Sequence, residues 1–249
     1  MLRLDHVSKA FGGVRAVDGL DLAVNRGELV GLIGPNGSGK TTTVNLITGL
    51  FPPTDGTIWA DGDDITGLAI HRRIAKGIAR TFQNIRLFPQ LSVWENLWVA
   101  YAKHRHGPIW RRHFGDRKKD RAALSAILDF VGLADKGQSL ASDLAFGEQR
   151  RLELARAMAT DPKLLLLDEP AAGMTTQEIS DLENRLYQLR QQGMTILLIE
   201  HHMALVMRVC DRITVLNFGK RIASGTPAEI QSNPLVQAAY LGAPGADNV

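Results

Sequence analysis

The most informative segment of the sequence is a glycine-rich run, Gly34-Pro35-Asn36-Gly37-Ser38-Gly39-Lys40-Thr41. A run at 28–33, apolar from Leu29 onward, precedes it and predicts a buried strand, and residues 40–48 after it have the pattern of a helix. Glycines let a backbone curl until successive N–H groups point inward, and a helix N-terminus adds its dipole, so this arrangement attracts anions. The order of strand, glycine loop and helix therefore predicts a phosphate-binding loop.

The end of this loop carries the matching side-chain chemistry. Lys40 supplies a positive charge for the β- and γ-phosphates of a nucleotide, and the hydroxyl of Thr41 is a ligand for Mg²⁺. The alternative is a glycine turn with a purely structural role, which the strand before the loop and the helix after it disfavour. We therefore predict ATP and Mg²⁺ as cofactors. We assign the nucleotide contacts to nine residues: Gly34, Pro35, Asn36, Gly37, Ser38, Gly39, Lys40, Thr41 and Thr42.

A pair of carboxylates follows a second apolar run at 164–167. Asp168 and Glu169 stand at the C-terminal end of that predicted strand, where ligands bind in open α/β sheets. We predict that Asp168 holds Mg²⁺ through water and that Glu169 polarises the attacking water as a general base. An Asp-Glu pair behind an apolar strand is ordinary by itself, so this prediction depends on the phosphate loop that precedes it in the chain.

The 249 residues alternate between strand-like and helix-like patterns, with 45% hydrophobic and 22% charged residues. This composition is typical of a globular chain that is long enough to bury a large core. Between about 87 and 144 the strand-like runs vanish and helical spacing appears. We therefore predict an α/β fold: a phosphate-loop NTPase core with an antiparallel β layer and a helical subdomain insertion. Within a single domain, 1–249, the core comprises 1–86 and 160–249, and the helical subdomain comprises 87–159.

The local patterns also predict the bounds of individual elements. Strands are expected at 2–7, 20–24, 28–33, 57–59, 164–167, 195–199, 213–216 and 220–223. Helices are expected at 40–48, 93–102, 122–131, 177–191 and 202–209, and a further helix continues through 159.

Cysteine usage and hydropathy indicate the setting of the protein. Cys210 is the only cysteine, which excludes an intrachain disulfide, and its apolar neighbours predict a core residue rather than a catalytic one. The N-terminus lacks the basic-then-apolar order of an export signal, and the longest apolar runs are far shorter than the ~20 residues that span a bilayer. We expect a cytoplasmic protein that contacts a membrane only through another protein.

The net charge of +3 conceals one strongly basic segment, 103–121. This segment has eight Lys or Arg residues and two Asp residues, a net charge of +6, so the rest of the chain is mildly acidic at −3. A nucleic-acid footprint would be spread along a surface or groove, and we therefore predict no nucleic-acid partner. For the segment itself, nucleic acid is the least favoured of three interpretations; the others are a solvated, partly disordered loop, which is favoured, and a contact with a partner subunit or acidic lipid headgroups.

A third motif carries a family resemblance, Asp143-Leu144-Ala145-Phe146-Gly147-Glu148-Gln149-Arg150-Arg151. We predict that it opens a helix and that Gly147 lies in the turn before that helix. Together with the two earlier motifs, it makes the chain resemble the nucleotide-binding subunit of an ATP-binding cassette (ABC) transporter over nearly its whole length. The signature of that family, Leu-Ser-Gly-Gly-Gln, corresponds to 144–148. The resemblance implies that four residues contact ATP bound to a second subunit: Ala145, Phe146, Gly147 and Glu148.

Three further residues gain their roles from the resemblance alone. Gln83 corresponds to a glutamine that reaches Mg²⁺ and couples to the membrane subunits, and His201 to a histidine that contacts the γ-phosphate. Phe11 corresponds to an aromatic residue that stacks on adenine. Taken alone, Phe11 would be interpreted as a core aromatic residue and His201 as a surface residue.

Two positions depart from the family pattern. Ala145 replaces the signature serine, which donates a hydrogen bond to the γ-phosphate across the dimer, and this removes a bond worth ~1.5–3 kcal/mol. Gly147 and the helix N-terminus remain, so we expect weaker closure of the dimer rather than loss of function. Thr175 replaces the aspartate that usually follows the Asp-Glu-Pro stretch.

The resemblance implies an ATPase that couples its energy to transport. Two copies, or one copy and a close paralogue, would sandwich two ATP molecules, and their closure would drive two integral membrane permease subunits. A substrate-binding protein would take part indirectly, and the chain would lie at the cytoplasmic face of the inner membrane. The motifs near 80–88, 169–173 and 199–203 resemble importers of branched-chain amino acids, and the ending 233–242 agrees.

Other functions fit the sequence less well. Urea- and amide-importing relatives share much of the same pattern, so the solute stays open between them. A soluble ABC ATPase of translation or DNA repair usually has two cassettes or a long coiled coil, for which 249 residues leave no room. A phosphate-loop kinase or GTPase is disfavoured by the signature and by the absence of an Asn-Lys-x-Asp motif.

Overall fold

The computed structural model describes residues 1–83, 85–104 and 117–241, and these form two β-sheets with helices packed on them. The strands are β1 Leu2–Phe11, β2 Val14–Val24, β3 Leu29–Ile33, β4 Asp55–Ala60, β5 Asp63–Asp64, β6 Ile78–Arg80, β7 Leu164–Asp168, β8 Thr195–Ile199, β9 Arg212–Asn217 and β10 Lys220–Gly225. The helices are α1 Lys40–Thr48, α2 Ile70–Ala75, α3 Val93–His104, α4 Arg117–Val131, α5 Phe146–Met158, α6 Thr176–Gln191, α7 Met203–Val209, α8 Pro227–Gln231 and α9 Pro234–Leu241.

The N-terminal sheet is antiparallel, in the order β2-β1-β4-β5. β1 pairs with β2 from Leu2↔Val24 to Phe11↔Val14. At the start of β1 the buried residues Leu2 and Leu4 alternate with more exposed ones, as expected for a strand with one face in a core. The strands predicted at 2–7 and 20–24 are therefore confirmed, and both are longer than predicted.

The second sheet has the order β10-β9-β3-β8-β7-β6, and its five strands from β9 to β6 run parallel. β3, β7 and β8 are buried along their whole length. Alternate residues enter two different cores, since Leu32 packs with the antiparallel sheet and Ile33 packs with the helices. Burial on both faces explains why these strands have continuous apolar sequences. The predicted α/β fold with an antiparallel layer is confirmed.

The parallel register brings the carboxyl ends of the central strands to one edge of the sheet. Leu32 of β3 and Asp168 of β7 both lie opposite Ile199 of β8. The loops that follow β3, β7 and β8 therefore leave the sheet at the same level. In open α/β sheets this edge is where ligands bind.

The named elements among the described residues between β6 and β7 are helices. α3 and α4 confirm the helices predicted at 93–102 and 122–131 and pack against α5. The division into a core and a helical subdomain stays a prediction. Most of the basic segment 103–121, together with Asn84, lies outside the described residues. Of the helices described, none has the length and apolar character needed to cross a membrane.

Five short elements, namely α2, α8, α9, β5 and β6, are not among those predicted from the sequence. β6 has three residues and forms because it pairs with β7 from Ile78↔Leu164 to Arg80↔Leu166. Pairing between distant segments is a tertiary contact that a local pattern does not reveal. α7 begins one residue later than predicted because His202 is its N-cap.

Cys210 is buried among apolar side chains, which confirms the prediction of a core residue. Burial also raises the pKa of its thiol above the ordinary value. A thiol without access to solvent and without thiolate character is chemically inert.

Arg73, which is 1% exposed, closes the C-terminal end of α1. Its guanidinium donates hydrogen bonds to the carbonyl oxygens of Leu46 at 2.6 Å and Ile47 at 2.9 Å, within the last turn of the helix. It also donates to the carbonyl oxygens of Thr66 at 2.8 Å and Leu68 at 2.9 Å. One buried arginine therefore fixes α1 at the end opposite the phosphate loop.

Replacing Arg73 by methionine should lower the free energy of unfolding by about 3 kcal/mol or more. Four carbonyl oxygens lose a charged donor, and each such bond contributes about 1.5–3 kcal/mol. Urea denaturation followed by circular dichroism measures the change. Arg72→Met is the matched control, because Arg72 is exposed on the same helix and its loss should cost no more than about 0.5 kcal/mol. Equal losses in the two variants would contradict the role of the buried guanidinium.

Candidate functional site

The phosphate loop begins where β3 ends, and neighbouring strands fix its path. A Cβ atom on Gly34 would lie 2.2 Å from the carbonyl oxygen of Leu216, and one on Gly39 would lie 2.5 Å from that of Ala16. Gly39 also has a φ of 104°, a left-handed conformation that side chains disfavour. Only glycine fits at these two positions, which explains why the loop is glycine-rich.

Lys40 is 6% exposed and lies inside the loop. Its ammonium donates hydrogen bonds to the carbonyl oxygens of Gly34 at 2.7 Å and Pro35 at 3.0 Å. Burial lowers the pKa of Lys40 below its ordinary value, and the negative charges of Glu169 and Asp168 oppose that effect. The positive charge predicted for the phosphates is therefore held within electrostatic reach of both predicted carboxylates.

The loop has the properties of a polyphosphate site. The hydroxyl oxygen of Ser38 is buried and has no hydrogen-bond partner in the structure. Gly39, the N-cap of α1, offers no side chain to the first N–H groups of the helix, and the first turn has no acidic residue. Phosphate oxygens would satisfy the hydroxyl and the N–H groups together. These residues fit the triphosphate of ATP, and the nine contacts at 34–42 stay predictions.

Asp168 ends β7 in a buried position and is paired with an arginine. Its Oδ2 accepts a hydrogen bond from Arg80 at 2.6 Å, and the same guanidinium donates to Oδ1 of Asn45 on α1 at 2.7 Å. Arg80 thereby ties the carboxylate to the phosphate-loop helix, a role that the sequence does not suggest. Carboxylate and hydroxyl oxygens are ligands that Mg²⁺ prefers, so Asp168 and Thr41 fit the predicted metal site in their chemistry.

Gln83 and His201 both approach one carboxylate oxygen of Glu169. Nε2 of Gln83 donates to Oε2 of Glu169 at 2.9 Å, and Nδ1 of His201 lies 3.8 Å from the same oxygen. Glu169 has a φ of 49°, which is uncommon for a residue other than glycine and is concentrated at functional sites. The fold thus brings together three residues from distant segments, and their catalytic roles stay predictions.

Glu200 is a fully buried carboxylate that the sequence analysis does not assign to the site. Its Oε1 accepts the backbone N–H of Ala171 at 2.7 Å, and its Oε2 accepts those of His201 at 3.1 Å and His202 at 3.3 Å. It therefore joins the segment after Glu169 to the segment that carries His201. Glu200 follows buried strand β8 directly in the sequence, as Glu169 follows β7. This position is the sequence signal that identifies Glu200.

The signature residues form the start of a separate helix. α5 begins at Phe146 with Ala145 as its N-cap, so the prediction that Gly147 lies in the preceding turn is wrong. The carboxylate of Glu148 accepts the N–H of Ala145 at 3.1 Å, which satisfies this backbone group and lets the helix begin earlier. Gly147 lies in the first turn, where a Cβ atom would be 1.7 Å from Oε1 of Glu178. A side chain at position 147 would therefore displace the carboxylate of Glu178 at the start of α6.

Thr175, which stands where the family usually has aspartate, has a local structural role. Its hydroxyl accepts a hydrogen bond from the N–H of Glu178 at 3.3 Å and thereby caps α6. The carboxylate of Glu178 accepts the N–H of Thr175 in return at 2.8 Å. The two residues form a capping box, which fixes the start of the helix that packs against Gly147.

Phe11 is 44% exposed, which excludes the interpretation as a core aromatic residue. Its ring meets that of Phe51 edge-on, with the centroids 5.4 Å apart and the planes at 82°. Nζ of Lys9 lies 5.2 Å from the centroid of the Phe11 ring. A supported ring with an accessible surface is what stacking on adenine requires, and that role stays a prediction.

Comparison with known protein families gives matches to two family models. One, described as ABC transporter, matches residues 17–172, and another, described as branched-chain amino acid ATP-binding cassette transporter, matches residues 220–246. Two relatives are high-affinity branched-chain amino acid transport ATP-binding proteins, BraF of Pseudomonas aeruginosa and LivG of Escherichia coli. Each is 44% identical over 97% of this chain and 98% of the relative. The lipopolysaccharide export system ATP-binding protein LptB of Escherichia coli is 37% identical over 97% of both chains.

Solved structures show the same architecture. A nucleotide-free ATP-binding cassette from an ABC transporter has a TM-score of 0.85 at 31% identity, over 97% of this chain and 99% of that chain. The ADP conformation of MJ1267, also an ATP-binding cassette of an ABC transporter, has a TM-score of 0.85 at 31% identity, over 97% and 98% of the two chains.

Ala145→Ser should stabilise the nucleotide-free protein by about 1 kcal/mol. A serine hydroxyl at an N-cap accepts an N–H of the first helical turn, and Glu148 already supplies the other half of a capping box. Urea denaturation without nucleotide measures this local effect apart from any contact with phosphate. Ala145→Val, which adds bulk without an acceptor, is the control and should gain no stability. A serine variant no more stable than the valine variant would show that position 145 does not cap the helix.

Proposed function

Because this chain belongs to the ABC transporter family as an ATP-hydrolysing subunit, we propose that it powers the uptake of branched-chain amino acids through a membrane transporter. The names of BraF and LivG support this solute, and so does the match at 220–246 to a branched-chain amino acid transporter model. The relative that is named for lipopolysaccharide export is less similar than these two.

The observation that carries the catalytic proposal is the cluster around Oε2 of Glu169. A carboxylate at this edge of the sheet is placed to accept a proton from water that attacks the γ-phosphate. Gln83 donates a hydrogen bond to that oxygen, Nδ1 of His201 lies 3.8 Å from it, and Lys40 binds the β- and γ-phosphates. When bound, Mg²⁺ neutralises charge on the phosphate oxygens; we propose Thr41, Gln83 and Asp168 as the residues that hold it.

A complete site requires a second subunit. The hydrogen bonds and ion pairs described for Ala145 and Glu148 run within the signature segment and to Lys136 and Arg151, not to the phosphate loop. The signature is therefore available to contact ATP that is bound to another cassette. This geometry supports a dimer with two shared sites, formed by two copies of this chain or by one copy and a paralogue.

A groove beside Gln83 offers a surface for the permease subunits. It lies between β6 and the helices, and its wall has exposed apolar side chains from Leu50, Ile70, Phe82, Phe88 and Val99. Apolar patches with a polar rim are typical of binding surfaces for partner proteins. An apolar permease segment in this groove would reach Gln83 through the adjacent Phe82. Two permease subunits would place the chain at the cytoplasmic face of the membrane and leave solute delivery to a substrate-binding protein.

Glu169→Gln should keep ATP binding but lower turnover by two orders of magnitude or more, because the amide cannot accept the proton of the attacking water. The variant should accumulate as an ATP-bound dimer in size-exclusion chromatography. In proteoliposomes with the two permease subunits and the binding protein, the wild-type chain should drive ATP-dependent leucine uptake, and the variant should not.

The matched control is Glu183→Gln, which removes one carboxylate charge that pairs with Arg208 at 3.2 Å, away from the cluster. It should hydrolyse ATP and drive uptake at close to the wild-type rate. Turnover of Glu169→Gln within a few-fold of wild type would place the general base elsewhere. Uptake of urea or an amide in place of leucine would contradict the proposed solute and leave the catalytic proposal intact.

A further inference from the structure

Two charged side chains of the signature helix α5 are buried against the segment that carries Gln83. Arg150 is 8% exposed and Glu153 is 6% exposed. Arg150 donates to the carbonyl oxygens of Phe82 at 3.0 Å and Gln83 at 2.6 Å. Oε1 of Glu153 accepts the backbone N–H of Phe82 at 3.1 Å. Two side chains of one helix therefore hold three backbone groups of two adjacent residues.

These contacts hold the backbone of Gln83, which lies beyond the point where hydrogen bonds to the sheet end. The last backbone–backbone hydrogen bond of this segment to β7 is donated by the N–H of Thr81 to the carbonyl oxygen of Leu166, at 2.9 Å. Beyond Thr81, the described backbone hydrogen bonds of Phe82 and Gln83 go to α5. The backbone position of Gln83, and so the reach of its amide to Glu169, is therefore set by Arg150 and its partner Glu153.

Phe146 covers the same guanidinium at the start of α5. Its ring centroid lies 5.3 Å from Cζ of Arg150, a distance at which a cation is attracted to an aromatic ring. A Cβ atom on Gly173 would lie 2.9 Å from this ring, so the ring also packs closely on the segment that follows Glu169. The bulky residue that replaces a glycine of the family signature thus shields Arg150 from solvent.

We propose that Arg150 is a positioning residue for ATP hydrolysis. Through the carbonyl oxygens of Phe82 and Gln83, it sets the position of the Gln83 amide relative to Glu169 and to bound Mg²⁺. Arg150 has no described contact with the phosphate loop or Glu169, and it acts through Gln83. This inference rests on the proposed function, in which Gln83 is a ligand of Mg²⁺. A purely structural role, anchoring α5 to the sheet, is the alternative that an experiment must separate from it.

The experiment measures the Kd of the full chain for mant-ATP with Mg²⁺ and with EDTA. The Mg²⁺-dependent gain in affinity is the Kd in EDTA divided by the Kd in Mg²⁺. Arg150→Gln should lower this gain about fivefold or more, because Gln83 is no longer held in place and its contact with bound Mg²⁺ weakens by about the worth of one hydrogen bond. Kd in EDTA should stay within about twofold, because Arg150 does not hold the phosphate loop. If Arg150 has only a structural role, Arg150→Gln would reduce the amount of folded protein without changing either Kd. That result would contradict the positioning role.

A double-mutant cycle tests whether Arg150 acts through Gln83. Gln83→Ala should also lower the Mg²⁺-dependent gain, and the double variant should be no worse than Gln83→Ala, since the two residues form one unit. If Arg150→Gln does not fold, Arg150→Lys replaces it, because one ammonium keeps the charge beside Glu153 but cannot span both carbonyl oxygens.

The matched control is Arg185→Gln, which removes a half-buried guanidinium that donates to the carbonyl oxygens of Phe130 and Val131, each at 3.3 Å. Its gain should equal that of the wild type. An unchanged gain in the Arg150 variant, with a reduced gain in Gln83→Ala, would overturn the positioning role and leave the proposed function intact. An unchanged gain in Gln83→Ala would remove the metal role of Gln83 from the proposed function, and the positioning role with it.

Discussion

The ammonium of Lys40 is held inside the phosphate loop by the carbonyl oxygens of Gly34 and Pro35. A desolvated charge is costly unless fixed partners replace water, so the path of the loop and the position of this ammonium depend on each other. The close approach of Leu216 and Ala16 to the loop glycines sets that path. The remaining features of the site are arranged around this charge.

Buried charged side chains determine the geometry around the loop. Arg73 fixes the far end of α1, and Arg80 joins that helix to Asp168. Glu200 joins the segment after Glu169 to His201, and Arg150 holds the backbone at Gln83. Each group is paired with a backbone group or an opposite charge, as buried charges must be. Such contacts are directional, so they restrict position more than apolar packing does.

The sequence predicts those parts of the site that local chemistry defines. The loop at 34–41 and the carboxylates after β7 can be predicted, because each comprises a few adjacent residues that directly follow an apolar strand in the sequence. The sequence assigns roles to Gln83 and His201 only through the family resemblance. The structure adds that both side chains lie beside one oxygen of Glu169.

The contacts of Arg80 and Arg150 could not be predicted, because they join segments that are distant in the sequence. β6 has no local signal for the same reason, since its three residues become a strand only by pairing with β7. The prediction that Gly147 precedes the signature helix is wrong. The carboxylate of Glu148 accepts the N–H of Ala145, and the helix begins at Phe146. Boundaries of this kind depend on individual hydrogen bonds rather than on periodicity.

The most direct test asks whether the loop and its buried ammonium form the phosphate site. It compares the affinity of the wild type and of Lys40→Met for ATP in the absence of Mg²⁺. Methionine keeps most of the length of the side chain and removes its charge. The loss of charge-assisted hydrogen bonds to the phosphates, at about 1.5–3 kcal/mol each, should weaken binding by about tenfold or more. An affinity within about twofold of the wild type, smaller than the loss of even one such bond, would contradict this account of the site.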